Sequence, residues 1–127
     1  MKKILCIEDE RFISELYSRA LRKAGYEVKT IEDGEDGLHE AVNSNYDVIL
    51  LDIMLPTMNG VDMLYKMKDQ NVKPAMMSKI IITTNLDQKE EVRKKVEEMA
   101  DGYLIKAEMT PRQLVEYVKQ VTEQLPQ

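Results

Sequence analysis

The run Val48-Ile49-Leu50-Leu51-Asp52 constrains this chain more than any other stretch. Four apolar residues in succession, two of them β-branched, describe a short strand buried on both faces, and such strands lie in the middle of a parallel sheet. Parallel neighbours need long crossovers, so the rest of the chain must supply helices to cover that sheet. An acid closes the run. It is followed by Ile53-Met54-Leu55-Pro56-Thr57-Met58-Asn59-Gly60, a loop that Pro56 stiffens and Gly60 lets turn. A carboxylate at the carboxyl end of a central strand sits where open α/β sheets bind ligands. The competing reading is that Asp52 only caps a turn.

The remaining sequence has the alternation that this strand demands. Residues 4–7 (Ile4-Leu5-Cys6-Ile7) form a first buried strand ending in Glu8-Asp9-Glu10. Phe12, Ile13, Leu16, Tyr17, Ala20, Leu21 and Ala24 then recur at three and four residues, the period of an amphipathic helix, which Gly25 stops. Residues 26–31 alternate Val28 and Thr30 with charged Glu27 and Lys29, which suits an edge strand. Glu32-Asp33-Gly34 turns the chain, and Leu38, Ala41 and Val42 mark a second helix that Asn43-Ser44-Asn45 breaks. Val61, Leu64 and Met67 mark the inner face of a third helix, and an irregular link containing Pro74 follows. Residues 80–82 (Ile80-Ile81-Ile82) are a fourth buried strand ending in Thr83-Thr84-Asn85. Asp87 and Glu90 predict a capping box for a helix that carries Val92, Val96 and Met99 inward. Tyr103-Leu104-Ile105 is a fifth strand ending at Lys106. Thr110-Pro111-Arg112-Gln113 combines an N-cap, a first-turn proline and a capping-box glutamine ahead of Leu114, Tyr117, Val118, Val121 and Leu125.

Five strands alternating with five helices predict one α/β domain over residues 1–127, a doubly wound parallel sheet. The edge character of the second strand favours the order 2-1-3-4-5, with strands one and three adjacent at the topological switch point. A net charge of −5 disfavours non-specific contact with nucleic acid or acidic lipid. The single cysteine, Cys6, excludes an intrachain disulfide and suits a reducing compartment. No apolar run approaches the roughly 18 residues of a membrane span. The expectation is a soluble, cytoplasmic protein with no direct nucleic-acid contact.

Four of the strands end in a functional group: Glu8-Asp9, Asp52, Thr84 and Lys106. In a parallel sheet these ends share one rim. Carboxylates about 4 to 6 Å apart repel by several kcal/mol at an effective dielectric near ~20, so a cation must occupy the gap. Oxygen donors without His or Cys select a hard ion, and Mg²⁺ takes one or two carboxylates while keeping waters and a phosphate oxygen. Asp9 and Asp52 are the expected direct ligands, with the backbone carbonyl of Met54 in reach and Glu8 acting through water. Lys106 supplies a point charge for a phosphoryl oxygen and Thr84 a hydroxyl for another. The pattern suits phosphoryl transfer to a carboxylate.

Taken together, Glu8-Asp9, Asp52 with Pro56 and Gly60, Thr84, and Asp101-Gly102-Tyr103-Leu104-Ile105-Lys106 resemble a response-regulator receiver domain, of the stand-alone, single-domain kind. The resemblance spans essentially the whole chain and implies the flavodoxin-like (βα)5 fold. It implies that Asp52 accepts a phosphoryl group from a histidine kinase or phosphotransfer protein, that Glu8 and Asp9 hold Mg²⁺, and that Thr84 and Tyr103 form a switch pair. That switch remodels the surface of the fourth helix and fifth strand for docking of a downstream protein. A phosphate relay or sink without dedicated output is the alternative. The implied protein is a signalling domain that catalyses its own phosphorylation and slow dephosphorylation.

Several residues depart from the family pattern. Ala107 stands where a proline is usual after the lysine, and a cis bond before a non-proline costs about 2.5 to 4 kcal/mol. A trans Lys106-Ala107 bond or a rearranged loop is therefore expected. Asn85 replaces a small residue and narrows the phosphate entrance. Thr83 competes with Thr84 for the switch role, and spacing to Lys106 favours Thr84. Neither Met54 nor Leu86 orients a water, so loss of the phosphoryl group is expected to be slow. His39 reads as an exposed structural residue, Glu32-Asp33 as a turn and helix start, and residues 89–98 as a solvated helix face. The nine methionines read as core or loop filler, Met76-Met77 excepted.

Two rival chemistries are disfavoured. A phosphatase of the haloacid dehalogenase type needs a second acid two residues after its nucleophile, and Met54 occupies that position. A nucleotide-binding module would carry G-x-G-x-x-G or G-x-x-x-x-G-K-[ST], and neither is present.

Overall fold

Apolar runs become strands and periodic stretches become helices in the computed structural model, which describes residues 2–55, 58–69, 78–85 and 88–123. The elements are β1 (Lys3–Ile7), α1 (Arg11–Lys23), β2 (Glu27–Ile31), α2 (Gly34–Asn43), β3 (Val48–Asp52), α3 (Gly60–Lys68), β4 (Lys79–Thr84), α4 (Glu90–Met99), β5 (Gly102–Ile105) and α5 (Pro111–Glu123). A 3-10 turn, Lys106–Glu108, links the last two. The five strands pair in parallel in the order 2-1-3-4-5, with β2 at one edge.

Strand alternation splits the core into two layers. Leu5, Ile7, Ile49, Leu51, Ile80 and Ile82 face Ala41 of α2, Met63, Leu64 and Met67 of α3, and Val96 of α4. On the other side Ile4, Cys6, Val48, Leu50, Ile81 and Leu104 face Tyr17 and Leu21 of α1 and Leu114, Val118 and Val121 of α5. β3 is buried along its entire length, as its unbroken apolar run requires. Each fully buried aliphatic side chain of this kind contributes about 1.5 to 3 kcal/mol.

The helix ends follow local chemistry. The Thr110 N–H donates to Gln113 Oε1 at 2.9 Å, and the Gln113 N–H donates to Thr110 Oγ1 at 3.1 Å, which is the expected reciprocal cap of α5. Asp33 caps α2 by accepting from the Asp36 N–H, and Asn59 caps α3 by accepting from the Val61 N–H. Gly25 ends α1 at a φ of 103°, a left-handed conformation that favours glycine.

Three expectations need correction. Phe12 and Leu16 do not join the core face of α1: they are 76% and 37% exposed, while Ser14 and Ser18 are buried beside Tyr17 and Leu21. At 100° per residue, Phe12 and Leu16 each lie about 160° from Ser14, on the outer side. The hydroxyl of buried Ser18 donates to the Glu15 carbonyl, which satisfies it without a core partner. Gly60 is the first residue of α3 and not a left-handed turn residue. A Cβ there would lie 2.4 Å from the Ile53 Cα, so the requirement is close backbone approach. α4 begins at Glu90 after Lys89, with no side-chain cap, so Glu90 is a first-turn residue and not the third position of a capping box.

Asp87 lies outside the described residues, as do Pro56, Thr57, Pro74, Met76, Met77, Leu86 and Leu125. No cis peptide bond occurs among the described residues, so the Lys106-Ala107 bond is trans. His39 is exposed, and α4 turns a charged surface outward. Among the described residues, no helix is long and apolar enough to cross a membrane.

Candidate functional site

The crevice follows from where the helices go. α1 leaves β1 to cover one face of the sheet, and α3 leaves β3 to cover the other, so the carboxyl ends of these adjacent strands stay open. Ile7 is level with Leu51, which sets the next residues, Glu8 and Asp52, side by side. One oxygen from each of Glu8, Asp9 and Asp52 lies within 4.8 Å of the others. Thr84 is level with Ile105, so Lys106 follows at the same rim. The four strand ends singled out from the sequence therefore converge.

Lys106 is buried at the centre of the acids. Its Nζ lies 2.5 Å from Glu8 Oε1, 3.1 Å from Asp52 Oδ2 and 3.8 Å from Glu10 Oε1. Asp52 Oδ1 accepts the Met54 N–H at 2.9 Å, so this carboxylate has one oxygen on a backbone amide and the other on an ammonium. Capping the turn and facing Lys106 are thus two halves of one role. Glu8 Oε2 accepts the Glu10 N–H at 3.1 Å. Among the described residues no buried side-chain nitrogen or oxygen lacks a hydrogen-bond partner.

Burial pushes the Glu8 carboxyl up to about 7, with the Asp52 charge adding to the rise and the Lys106 ammonium and Glu10 N–H opposing it. Asp9 is also raised, by loss of solvent and then by Asp52. Burial works against the charge on Lys106, but the Glu8 hydrogen bond and the Asp52 and Glu8 charges outweigh it, leaving the ammonium above its ordinary value. Glu8 is therefore the acid that burial inclines most toward its protonated form, and a bound cation would favour its ionised form.

The donor set fits a hard divalent cation. It offers carboxylate oxygens alone, two of them on residues only 2% exposed, with Asp9 on the open side. Cys6 is no competitor as a ligand, because burial raises its thiol to about 12.

Thr84 and Tyr103 lie on one face of β4 and β5. Thr84 is fully buried, and its Oγ1 accepts from Gln88 Nε2 at 3.1 Å. The Tyr103 hydroxyl accepts the Gln88 N–H at 2.9 Å, and the Arg93 guanidinium lies 4.8 Å over its ring. Thr83 is buried too and is level with Asp52. The sequence reading missed Gln88, which joins Thr84 to Tyr103, and a bridge from Asn85 Nδ2 to Glu10 Oε1 at 2.5 Å. The unusual Asn85 was the only signal of that bridge.

Residues 4–119 match the profile of the response regulator receiver domain. The chain is 37% identical to the response regulator ArlR of Staphylococcus aureus over 106 residues, 84% of this chain and 46% of that protein. It thus spans about half the length of the curated relatives it matches. Among solved structures, the CheY-like receiver domain protein of Methanospirillum hungatei JF-1 superimposes with a TM-score of 0.85 at 30% identity, covering 98% of this chain and 96% of that one. The chemotaxis response regulator CheY4 of Vibrio cholerae gives 0.82 at 29% identity, over 95% and 98%. Fold and relatives together define a signalling domain of two-component systems. The chain belongs to the response regulator receiver domain family.

Proposed function

We propose that this domain is a phosphoacceptor that takes a phosphoryl group from the phosphohistidine of a histidine kinase or phosphotransfer protein onto Asp52. The observation that carries this reading is the pairing of Asp52 Oδ2 with Lys106 across a cluster of three carboxylates. Asp52 attacks phosphorus in line, the P–N bond breaks with its electron pair going to nitrogen, and the imidazole leaves neutral with the proton already on its other ring nitrogen. Lys106 is already at the acceptor oxygen, where its ammonium meets the developing charge on the phosphoryl oxygens. Thr84 supplies a hydroxyl for another of them. Glu8, Asp9 and Asp52, with the Met54 carbonyl, are the residues that would hold Mg²⁺. When bound, that ion neutralises phosphoryl charge and aligns donor with acceptor.

The acyl phosphate carries roughly 1.5 to 2 negative charges, by analogy with phosphorylated hydroxyls, where the free carboxylate carried about one, and draws Thr84 toward it. Gln88 ties Thr84 to Tyr103, and Arg93 ties Tyr103 to α4, so the change reaches the α4-β5-α5 surface for a downstream protein to read. Shifting a two-state element from 1:99 to 99:1 takes about 5.5 kcal/mol, within reach of a charge-assisted hydrogen bond plus a lysine contact. Met54 offers no group to orient water, which makes the phosphorylated state long-lived. In this reading the domain is a cytoplasmic signal carrier that catalyses its own phosphorylation and slow dephosphorylation.

Incubation with acetyl phosphate and Mg²⁺ followed by intact-mass measurement tests this reading. A phosphoryl adduct that Asp52→Ala lacks and hydroxylamine releases is the expected result. Continuous phosphate release without an adduct would replace the reading with a phosphatase.

A further inference from the structure

We infer that Glu10 and Asn85 form a clasp across the mouth of the acceptor site that selects against small, free phosphodonors; this deepens and rests on the phosphoacceptor reading. Glu10 follows β1 and Asn85 follows β4, on opposite sides of the strand that ends in Asp52. Their side chains meet in a 2.5 Å hydrogen bond from Asn85 Nδ2 to Glu10 Oε1, although 75 residues separate them. The same Glu10 oxygen lies 3.8 Å from Lys106 Nζ, so it stands beside the cation that faces Asp52. Both residues are exposed, and the bond therefore spans the solvent side of the site.

Two effects follow for a donor arriving from solution. It must part the clasp, and it must bring its negative phosphoryl oxygens past a carboxylate that competes for Lys106. A phosphohistidine carried by a docked protein meets the same barrier, but contacts elsewhere in the interface offset it. Acetyl phosphate has no such contacts. In its reaction the Asp52 oxygen bonds to phosphorus, the bond from phosphorus to the acetyl oxygen breaks, and acetate leaves. Neither Glu10 nor Asn85 takes part in that exchange, so the pair sets donor specificity without joining the chemistry.

The experiment compares initial rates of Asp52 modification by acetyl phosphate, at saturating Mg²⁺, in the wild type, Glu10→Ala, Asn85→Ala and the double variant. Far-UV circular dichroism and thermal melts establish that each is folded. Glu10→Ala is expected to speed modification about two- to fivefold, the range of an exposed charged contact. Asn85→Ala is expected to give a smaller gain, and the double variant to match Glu10→Ala, because the clasp can be lost only once. Added salt should speed the wild type more than Glu10→Ala. Equal rates in all four proteins, or a double variant equal to the product of the singles, would overturn the clasp while leaving Asp52 as the acceptor. Folded wild type that never gains an adduct would overturn both.

Discussion

Lys106 Nζ lies 3.1 Å from Asp52 Oδ2 although 54 residues separate the two, and the same nitrogen holds Glu8. One cation thus keeps two buried carboxylates in the fold. Replacing it with an apolar side chain of similar length leaves both acids desolvated with a backbone N–H each but no countercharge, a loss of about 3 to 5 kcal/mol. Lys106→Met is therefore expected to lower the urea midpoint strongly in chelator, to bind Mg²⁺ more tightly than wild type, and to regain much of its stability when Mg²⁺ is added. Denaturation with and without Mg²⁺ measures all three. Unchanged stability in chelator would mean that the ion pair is dispensable.

Glu8 gives the fold a pH dependence whose sign is fixed. Its folded-state value of about 7 lies above the ordinary 4.5, so between these limits the native state binds more protons than the unfolded chain. The stabilisation from protonated Glu8 is complete below about pH 4.5, declines as pH rises and is gone above about pH 7, a change of about 3 kcal/mol at most. Asp9 is shifted in the same direction. Urea titrations in chelator should show stability falling across that window, with a shallower fall in Glu8→Gln. A wild type whose stability rises from pH 5 to 7 in parallel with the variant would rule out this role for Glu8.

Much of this arrangement is legible from side-chain type and order alone. The run before Asp52 has no polar residue to place at a surface, which leaves a central strand as its only home, and strand order then brings Glu8, Asp52 and Lys106 to one rim. Thr110 and Gln113 announce their cap because its partners are three residues apart. The misreadings arise where apolar character and burial diverge. Phe12 and Leu16 fit a helical period yet face out, while Ser14 and Ser18 take the inner stripe. Contacts made by side chains across separate loops leave no trace in spacing, which hides the Asn85–Glu10 bond and the two hydrogen bonds from Gln88.

On the proposed phosphoacceptor reading, Met54 governs the lifetime of the phosphorylated state. The residue is 56% exposed and its N–H binds the Asp52 carboxylate, so residue 54 lies between that carboxylate and solvent, where the proposed acyl phosphate would meet water. A thioether is at best a weak acceptor, whereas an amide both donates and accepts. Met54→Asn should shorten the phosphoryl half-life up to about tenfold, the equivalent of one well-placed hydrogen bond. The decay of the intact-mass adduct after donor removal reads it directly, and an unchanged or longer half-life would contradict the assignment.

Gly60 tests how tightly the loop after Asp52 is held. A Cβ would approach the Ile53 Cα to 2.4 Å, and backbone cannot yield as a flexible side chain does. Gly60→Ala should cost about 1 to 3 kcal/mol through overpacking, seen as a lower thermal midpoint, and should slow phosphorylation by displacing the loop next to the acceptor. A wild-type midpoint in this variant would refute so close an approach.

Asp52, and no other side chain, is the proposed acceptor of the phosphoryl group. Phosphorylation with acetyl phosphate and Mg²⁺, reduction with borohydride and peptide mass spectrometry locate the acyl phosphate, because reduction converts a phosphorylated aspartate to homoserine. The expected result is homoserine at position 52 alone. Homoserine at position 9, or at any aspartate other than Asp52, would contradict it.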